Sequence, residues 1–329
     1  MFAQLSTLIL VLLVLGYANM RLIRELGVLS IYLKLPKFFI AFILLGLGTS
    51  LPDTFVAANA AARGQLPLVI GSIIGANIIV LCLVLGIVTI VKGNFRVREK
   101  TILENVGWIF FVIMIPFFLL VDGRLTFLEG IILLVVYLMY VYNVKEQETF
   151  HKKTGGIQLE LGDEAPKASY YRHGKERAIA KALVYLGIIV IAADIVVTQA
   201  VDISHMLGIP EMVIGFGVVA LGITVPELIL NLNALKQKEE EVIWGDIIGS
   251  FITELTFVLG VAALFNAGDK AFNFGDALVG YAFMAISFLL VFFFTYNKKQ
   301  LTRSEGVALI LLYLVSLSLV FDLAVFGGA

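Results

Sequence analysis

This chain of 329 residues is short of charge, cysteine and histidine. Asp, Glu, Lys and Arg make up 15% of it, against about a quarter in a soluble domain. The one cysteine, Cys82, sits in an apolar run, so an intrachain disulfide scaffold is excluded. The three histidines (His151, His173, His205) fall in a polar stretch or at a helix end, without metal-ligand spacing. Lys plus Arg and Asp plus Glu nearly cancel, 24 against 25, which provides no basic face for nucleic acid. No G-x-x-x-x-G-K-[ST] loop occurs, so neither a bound nucleotide nor ATP drive is expected. Nothing in the sequence calls for a cofactor or requires an oligomer.

What is abundant is apolar surface. Hydrophobic residues are 60% of the chain, and the mean hydropathy is +0.98. That composition excludes a soluble enzyme and a disordered chain, and it points to an all-α polytopic protein whose main partner is the lipid bilayer. A bilayer needs roughly 20 mostly apolar residues per helix. Ten runs qualify, near 5–22, 38–62, 68–91, 103–121, 125–143, 180–200, 212–235, 242–266, 272–296 and 305–326. They are long and continuous, unlike the short alternating strands of a membrane barrel. The first run lacks a basic lead-in and a small-residue cleavage site, so it reads as a retained helix.

Orientation follows from Lys and Arg. The connections after helices 1, 3, 5, 7 and 9 hold 21 of the 24, and the other side holds only Arg63, Arg124 and Lys270. The odd connections are therefore expected in the cytoplasm, with both termini extracellular, in a multi-pass protein of the cell membrane. The longest polar stretch, about 144–179, mixes both signs with Gly155-Gly156 and reads as a flexible cytoplasmic linker. It divides the chain into a first half, 1–143, and a second, 180–329.

The two halves are similar to each other. Under a shift of 174 residues, Gly48 falls on Gly222, Pro52 on Pro226, Asp53 on Glu227, Gly71 on Gly245, Gly75 on Gly249 and Gly86 on Gly260. Seventeen of the 51 positions 36–86 are identical to their counterparts. Each half holds five helices, an odd number, so the second enters the membrane from the opposite face. Two inverted five-helix repeats are the plan of many secondary transporters, with the site near the midplane where the repeats meet.

The chemistry sits on the matched segments. Helix 2 reads Gly48-Thr49-Ser50-Leu51-Pro52-Asp53, and helix 7 reads Gly222-Ile223-Thr224-Val225-Pro226-Glu227. A proline inside a helix frees a carbonyl, which in hydrocarbon needs another partner, such as a neighbouring helix or an ion. Asp53, Glu227 and Glu254 lie inside apolar spans, at about 2.5–3.5 kcal/mol each on insertion scales. No Lys or Arg within those spans offers an ion pair. Thr49 and Ser50 precede Asp53 by four and three residues, Thr224 precedes Glu227 by three, and Ser250 precedes Glu254 by four. Helical spacing puts each hydroxyl on the face of its acid. Carboxylates, hydroxyls and freed carbonyls make an all-oxygen site for a hard cation such as Ca²⁺, Mg²⁺ or Na⁺. The charge in that site would come from Asp53, Glu227 and Glu254.

Three further features have plainer readings. Gly71/Gly75 and Gly245/Gly249 are spaced for close helix packing. Asp246, near the start of helix 8, reads as a helix cap rather than a cytoplasmic vestibule residue. Asp194, toward one end of helix 6, reads as a structural hydrogen-bonding residue.

The paired motifs resemble the two alpha-repeats of the cation/calcium exchanger superfamily, the group of sodium/calcium exchangers. Its pattern is G-T-S-[LV]-P-[DE] in helices 2 and 7 and G-[ND]-x-x-G-S-N in helices 3 and 8. The resemblance extends over the ten helices and the central loop. It implies a secondary antiporter, not an enzyme, that exchanges Ca²⁺ or a similar cation against Na⁺ by alternating access, the helix 1/6 pair moving against the rest. It also implies cation ligands at Thr49, Ser50, Asp53, Thr224, Glu227, Ser250 and Glu254. Three of the family's neutral ligand positions are occupied here by Ala76, Val80 and Ile223, which lack side-chain oxygens. The same fold with a proton in place of a sodium ion is the alternative coupling. An intramembrane protease has no Ser/His pair at membrane depth to work with, and a passive channel no pore-ring motif.

The orientation is tested by labelling in a Cys82→Ser background. Arg63→Cys is expected to react with an impermeant thiol reagent from outside the cell, and Lys153→Cys only after permeabilisation. The reverse pattern would invert the topology.

Overall fold

A computed structural model describes residues 2–32, 47–96, 99–153, 175–237, 240–266, 272–298 and 300–326. Nearly all of them are helical. Helix α1 is Phe2–Tyr32 and α2 is Leu51–Ala62. Helix α3 runs as Leu66–Ile78, a π-helical segment Ile79–Val84 and Leu85–Lys92. Then come α4 (Glu99–Leu119), α5 (Phe127–Lys153) and α6 (Lys175–Leu207). Helix α7 runs as Glu211–Ile214, a π segment Gly215–Val219 and Ala220–Lys236. Helix α8 runs as Glu240–Thr253, a π segment Glu254–Val258 and Leu259–Phe265. Helices α9 (Phe274–Lys298) and α10 (Arg303–Phe326) complete the chain. The two described strands, β1 (Asn94–Arg96) and β2 (Gln300–Thr302), pair antiparallel.

Seven of these helices are long and apolar enough to cross a membrane, and Ile109–Leu119 and Phe127–Asn143 are shorter apolar stretches. The first part of the expected second span, up to residue 46, lies outside the described residues. Several helices overrun the expected spans. Helix α1 continues ten residues past its apolar run, carrying Arg21, which donates from Nε to the Tyr17 hydroxyl at 3.0 Å. Helices α5 and α6 reach into the polar stretch as far as Lys153 and from Lys175, so only 154–174 of the expected linker lies outside the described residues. Hydropathy marks where lipid ends, and a helix of good formers such as Arg, Glu and Lys need not end there.

The bundle is apolar outside, as lipid demands, and a polar group of residues lies within its largely apolar core. Asn19, Asp53, Asn77, Glu227, Asn231, Asp246 and Glu254 are buried, while Leu10, Leu13, Phe118, Leu138, Ile191 and Phe293 are exposed. Helices α1 and α6 pack extensively along one another. Part of their contact is a separate apolar cluster, built on Ala18, Leu22, Ala182 and Ile189 and apart from the main core.

The remaining helices repeat their contacts in the two halves. A Cβ on Gly86 of α3 would stand under 3 Å from the Gly306 carbonyl and the Ile310 side chain of α10. Its counterpart Gly260 of α8 meets the Gly130 carbonyl and Leu134 of α5 in the same way. The π segments of α3 and α8 begin at Ile79 and Glu254, nearly 174 residues apart. At one end of the bundle, the α3–α4 connection pairs with the α9–α10 connection through β1 and β2. At another, Phe272 N–H donates to the Gly123 carbonyl at 2.7 Å and Asn266 Nδ2 to the Leu125 carbonyl at 2.8 Å, which joins the α8–α9 and α4–α5 connections.

Gly75 gives a direct test of this packing. A Cβ there would meet the Phe216 carbonyl, the Phe216 Cα and the Ala220 Cβ, all closer than 3 Å. Gly75→Val is expected to destabilise the detergent-solubilised protein by about 1–3 kcal/mol or more. Gly187→Ala, with nothing within 4 Å, should leave its melting temperature unchanged or slightly raised.

Candidate functional site

The site is assembled from a turn that opens one helix, a proline in a second and a widened turn in a third. Gly48, Thr49 and Ser50 form the turn before α2, Ser50 is the N-cap, and Pro52 stands in the first turn of the helix, where its missing N–H costs nothing. Asp53 follows in that first turn and is 4% exposed. Thr49 and Ser50 are buried but are not on the helix itself, so the helical spacing expected to align them with Asp53 does not hold there. Helix α1 covers the turn: Asn19 Nδ2 donates to the Thr49 carbonyl at 3.3 Å. Inside α2, the Thr54 hydroxyl donates to the Ser50 carbonyl at 2.7 Å.

The second motif is built differently. Helix α7 runs unbroken through Pro226, after its π segment at Gly215–Val219. The proline has no N–H to give the Gly222 carbonyl, and that helical bond is lost. Helix α1 crosses this segment. A Cβ on Gly16 would meet the Pro226 ring at 3.4 Å, and Leu12 lies over Gly222. The Thr224 hydroxyl donates to the Ala220 carbonyl at 2.7 Å. Thr224 and Glu227 are both buried.

Helix α8 contributes Ser250 and Glu254, both buried. Glu254 opens the π segment of that helix, a widened turn of the kind often found at functional sites. The Asp53 and Glu254 side chains are close enough to interact, and so are Glu227 and Ser250, without full hydrogen-bond geometry. Glu227 is also within electrostatic range of Asp53 and of Asp246. The acids thus form a chain, Glu254 to Asp53 to Glu227 to Asp246. Among the described residues, five of their buried oxygens have no hydrogen-bond partner: Asp53 Oδ1, Glu227 Oε1, Asp246 Oδ1 and both oxygens of Glu254. No ion pair reaches any of the four among the described residues. Nor, among those residues, do three His, Cys, Asp or Glu side chains come close enough to hold a metal ion by themselves. A cation here would need neutral oxygens as well as carboxylates.

Asp246 corrects the expectation of a helix cap. Helix α8 begins at Glu240, so Asp246 is well inside it, 1% exposed, and accepts a hydrogen bond from Asn231 Nδ2 at 2.6 Å. Asn231 lies one turn after Glu227 and also donates to the Glu227 carbonyl at 2.8 Å. The span near 242–266 put Asp246 at an apparent helix end; the helix starts earlier because Glu240 and Glu241 extend it. The sequence holds a signal for Asn19, Asn77 and Asn231 too: each is an amide inside an apolar run, and Asn231 stands at i+4 from Glu227.

The plainer readings fare unevenly. Gly71 packs against the Met212 backbone and Gly75 against Phe216, so these glycines are contact points. A Cβ on Gly245 or Gly249 meets no described residue within 4 Å. Asp194 is structural: it accepts from Asn59 Nδ2 at 3.1 Å and pairs with Arg63, whose Nη1 donates to the Thr198 hydroxyl at 2.7 Å. Ala76, Val80 and Ile223 are each 2% exposed and supply no side-chain oxygen.

Comparison with known proteins places this arrangement. The pattern of the sodium/calcium exchanger protein family matches twice, over residues 3–145 and 178–321. The inner membrane protein YrbG of Escherichia coli is 28% identical over 276 residues, covering 82% of each chain. The sodium/calcium exchanger MaX1 of Methanosarcina acetivorans is 26% identical over 332 residues, covering 91% of this chain and 93% of that one. Among solved structures, the sodium-calcium exchanger NCX_Mj soaked with Na⁺ and Sr²⁺ aligns with a TM-score of 0.62 at 24% identity, covering 96% of this chain and 97% of that one. The H⁺/Ca²⁺ exchanger CAX aligns with a TM-score of 0.71 at 15% identity, covering 98% and 86%.

Proposed function

Because the chain belongs to the sodium/calcium exchanger protein family and is a multi-pass membrane protein, we propose that it exchanges Ca²⁺, or a similar hard cation, against Na⁺ by alternating access. One observation carries this reading. Asp53, Glu227 and Glu254 come from three helices of two similar halves, lie within electrostatic range of one another in the buried interior, and hold oxygens that no described protein group satisfies. Buried carboxylates without partners are strongly unfavourable. A divalent cation compensates them, and its six to eight oxygens would include neutral groups and water. Thr49, Ser50, Thr224 and Ser250, each within four residues of one of those acids, would supply neutral groups.

In this reading the architecture is ten transmembrane helices in two inverted five-helix repeats, 1–143 and 180–329, joined by a cytoplasmic linker, with both termini extracellular. The twofold family match and the recurring Gly86/Gly306 and Gly130/Gly260 contacts support it. The α1/α6 pair is the moving element. It has its own apolar cluster, and α1 lies directly on the Pro226 and Gly222 region and on the Thr49 carbonyl. A displacement of α1 therefore uncovers both motifs, and the cation sites can face one side at a time.

Coupling to protons is the second reading, favoured by Ala76, Val80 and Ile223. Each leaves a place without the oxygen that a bound Na⁺ needs. A proton can neutralise a carboxylate without further ligands.

The test is ⁴⁵Ca²⁺ uptake into proteoliposomes under an imposed Na⁺ gradient and, separately, an H⁺ gradient. Asp53→Asn, Glu227→Gln and Glu254→Gln are each expected to abolish exchange while leaving the protein folded. In the wild type, Ca²⁺ at 100 times its Kd should stabilise the fold by about 2.7 kcal/mol, and these variants should lose that stabilisation. Wild-type rates in all three would remove the site assignment.

A second expectation concerns stoichiometry. The Hill coefficient for Na⁺ should lie below three, and Ca²⁺ flux should fall as the pH drops, because protons compete for the same carboxylates. Ala76→Ser with Val80→Asn should steepen the Na⁺ dependence; an unchanged curve would mean that these positions do not face the ions.

A further inference from the structure

The transport reading leaves Asp246 and Asn231 unused. Both are fully interior, at 1% and 0% exposure. Asn231 Nδ2 donates twice, to Asp246 Oδ2 at 2.6 Å and to the Glu227 carbonyl at 2.8 Å, which fixes its amide and directs its Oδ1 the other way. Among the described residues that Oδ1 has no partner, and neither do Asp246 Oδ1 and Glu227 Oε1. Three such acceptors thus belong to three buried neighbours: Asn231 bonds the Asp246 side chain and the Glu227 backbone carbonyl, and Glu227 is within electrostatic range of Asp246.

Packing does not require this polar group. Under the 174-residue shift, the counterpart of Asp246 is Ser72 and that of Asn231 is Ala57. Ser72 satisfies itself by donating to the Val69 carbonyl at 3.0 Å, and Ala57 is plain core. The first half fills the same positions with small, satisfied residues. The second half retains a charged and an amide side chain at a site that costs free energy when empty.

The place is defined too. Asp246 is two turns before Glu254, or roughly 12 Å along α8. Two residues before it, Trp244 stacks on Phe95 of the β1/β2 ribbon with ring centroids 5.3 Å apart. Asp246 therefore lies between the ribbon end of the bundle and the central acids. The ligand class follows from the donors: one carboxylate of its own, one amide oxygen and one oxygen shared with Glu227. With one carboxylate of its own against the three of the central acids, the position carries less charge than a divalent ion draws on there, and it suits a monovalent hard cation.

We propose that Asp246, Asn231 and the free oxygen of Glu227 form an additional binding position for a monovalent hard cation such as Na⁺, on the ribbon side of the central acids. It rests on the transport reading of those acids. It offers a sodium position that the first half lacks, in a chain where Ala76, Val80 and Ile223 have removed others.

The experiment is cation-dependent thermal unfolding of the purified full-length protein, with N-methylglucamine replacing Na⁺ at constant ionic strength. The key variant carries Asp246→Ser with Asn231→Ala, the residues that the first half packs at these positions. Asp246→Asn alone is the second variant. The Na⁺ concentration giving half the stabilisation should rise at least about tenfold in both variants, roughly 1.4 kcal/mol, while the Ca²⁺ midpoint stays within about twofold. Asp53→Asn should weaken the Ca²⁺ effect. An unchanged Na⁺ midpoint, no Na⁺ effect in the wild type, or equal loss of the Na⁺ and Ca²⁺ effects would overturn the additional position. Absence of any Ca²⁺ effect in the wild type would instead sink the transport reading.

Discussion

Uncompensated negative charge in a low-dielectric interior is the constraint on which this structure depends. Asp53, Glu227, Asp246 and Glu254 are buried together, and no ion pair reaches them among the described residues. Each raises the free energy of the inserted protein. Asn231 supplies partial relief to Asp246, but among the described residues the acids keep five unpartnered oxygens. Under the proposed exchange, a mobile cation would compensate that charge, and the site would exchange one cation for another more readily than it would stand empty.

The backbone irregularities serve the same end. Helix α2 starts at a turn, α7 carries a proline and a π segment, and α3 and α8 each widen into a π turn. Regular helices would bury every carbonyl in its own ladder. Breaking them releases carbonyls and redirects side chains toward a common interior, where lipid cannot reach them. The breaks are tolerated because neighbours cover them. Asn19 takes the Thr49 carbonyl, and Gly16 lets α1 lie against Pro226.

The two halves share their skeleton but not their chemistry. Contacts such as Gly86 with Gly306 and Gly260 with Gly130 recur, since close helix approach depends only on the absence of a side chain. The polar residues diverge. Ala76 and Val80 stand opposite Ser250 and Glu254, and Ser72 and Ala57 stand opposite Asp246 and Asn231. Charge is thereby concentrated in the second half, with Asp53 as the first half's one acid in the cluster.

The sequence by itself determined the membrane class, the internal repeat and the three central acids, because each is visible locally. A long apolar run needs no tertiary context to read as a helix, and a carboxylate within one is costly wherever it sits. Tertiary structure decided the rest. It showed that the first motif is a turn and the second a continuous helix, although both read Gly-x-x-x-Pro-acid, because crossing by α1 and the start of α2 set the backbone there. It also moved Asp246 from an apparent helix end to the side of Glu227. Hydropathy averages over a window and cannot see that Glu240 and Glu241 belong to the same helix. Nor can it see that Asn231, fifteen residues earlier, turns its amide toward Asp246. Proximity across helices is a property of packing, and no linear pattern in this chain encodes it.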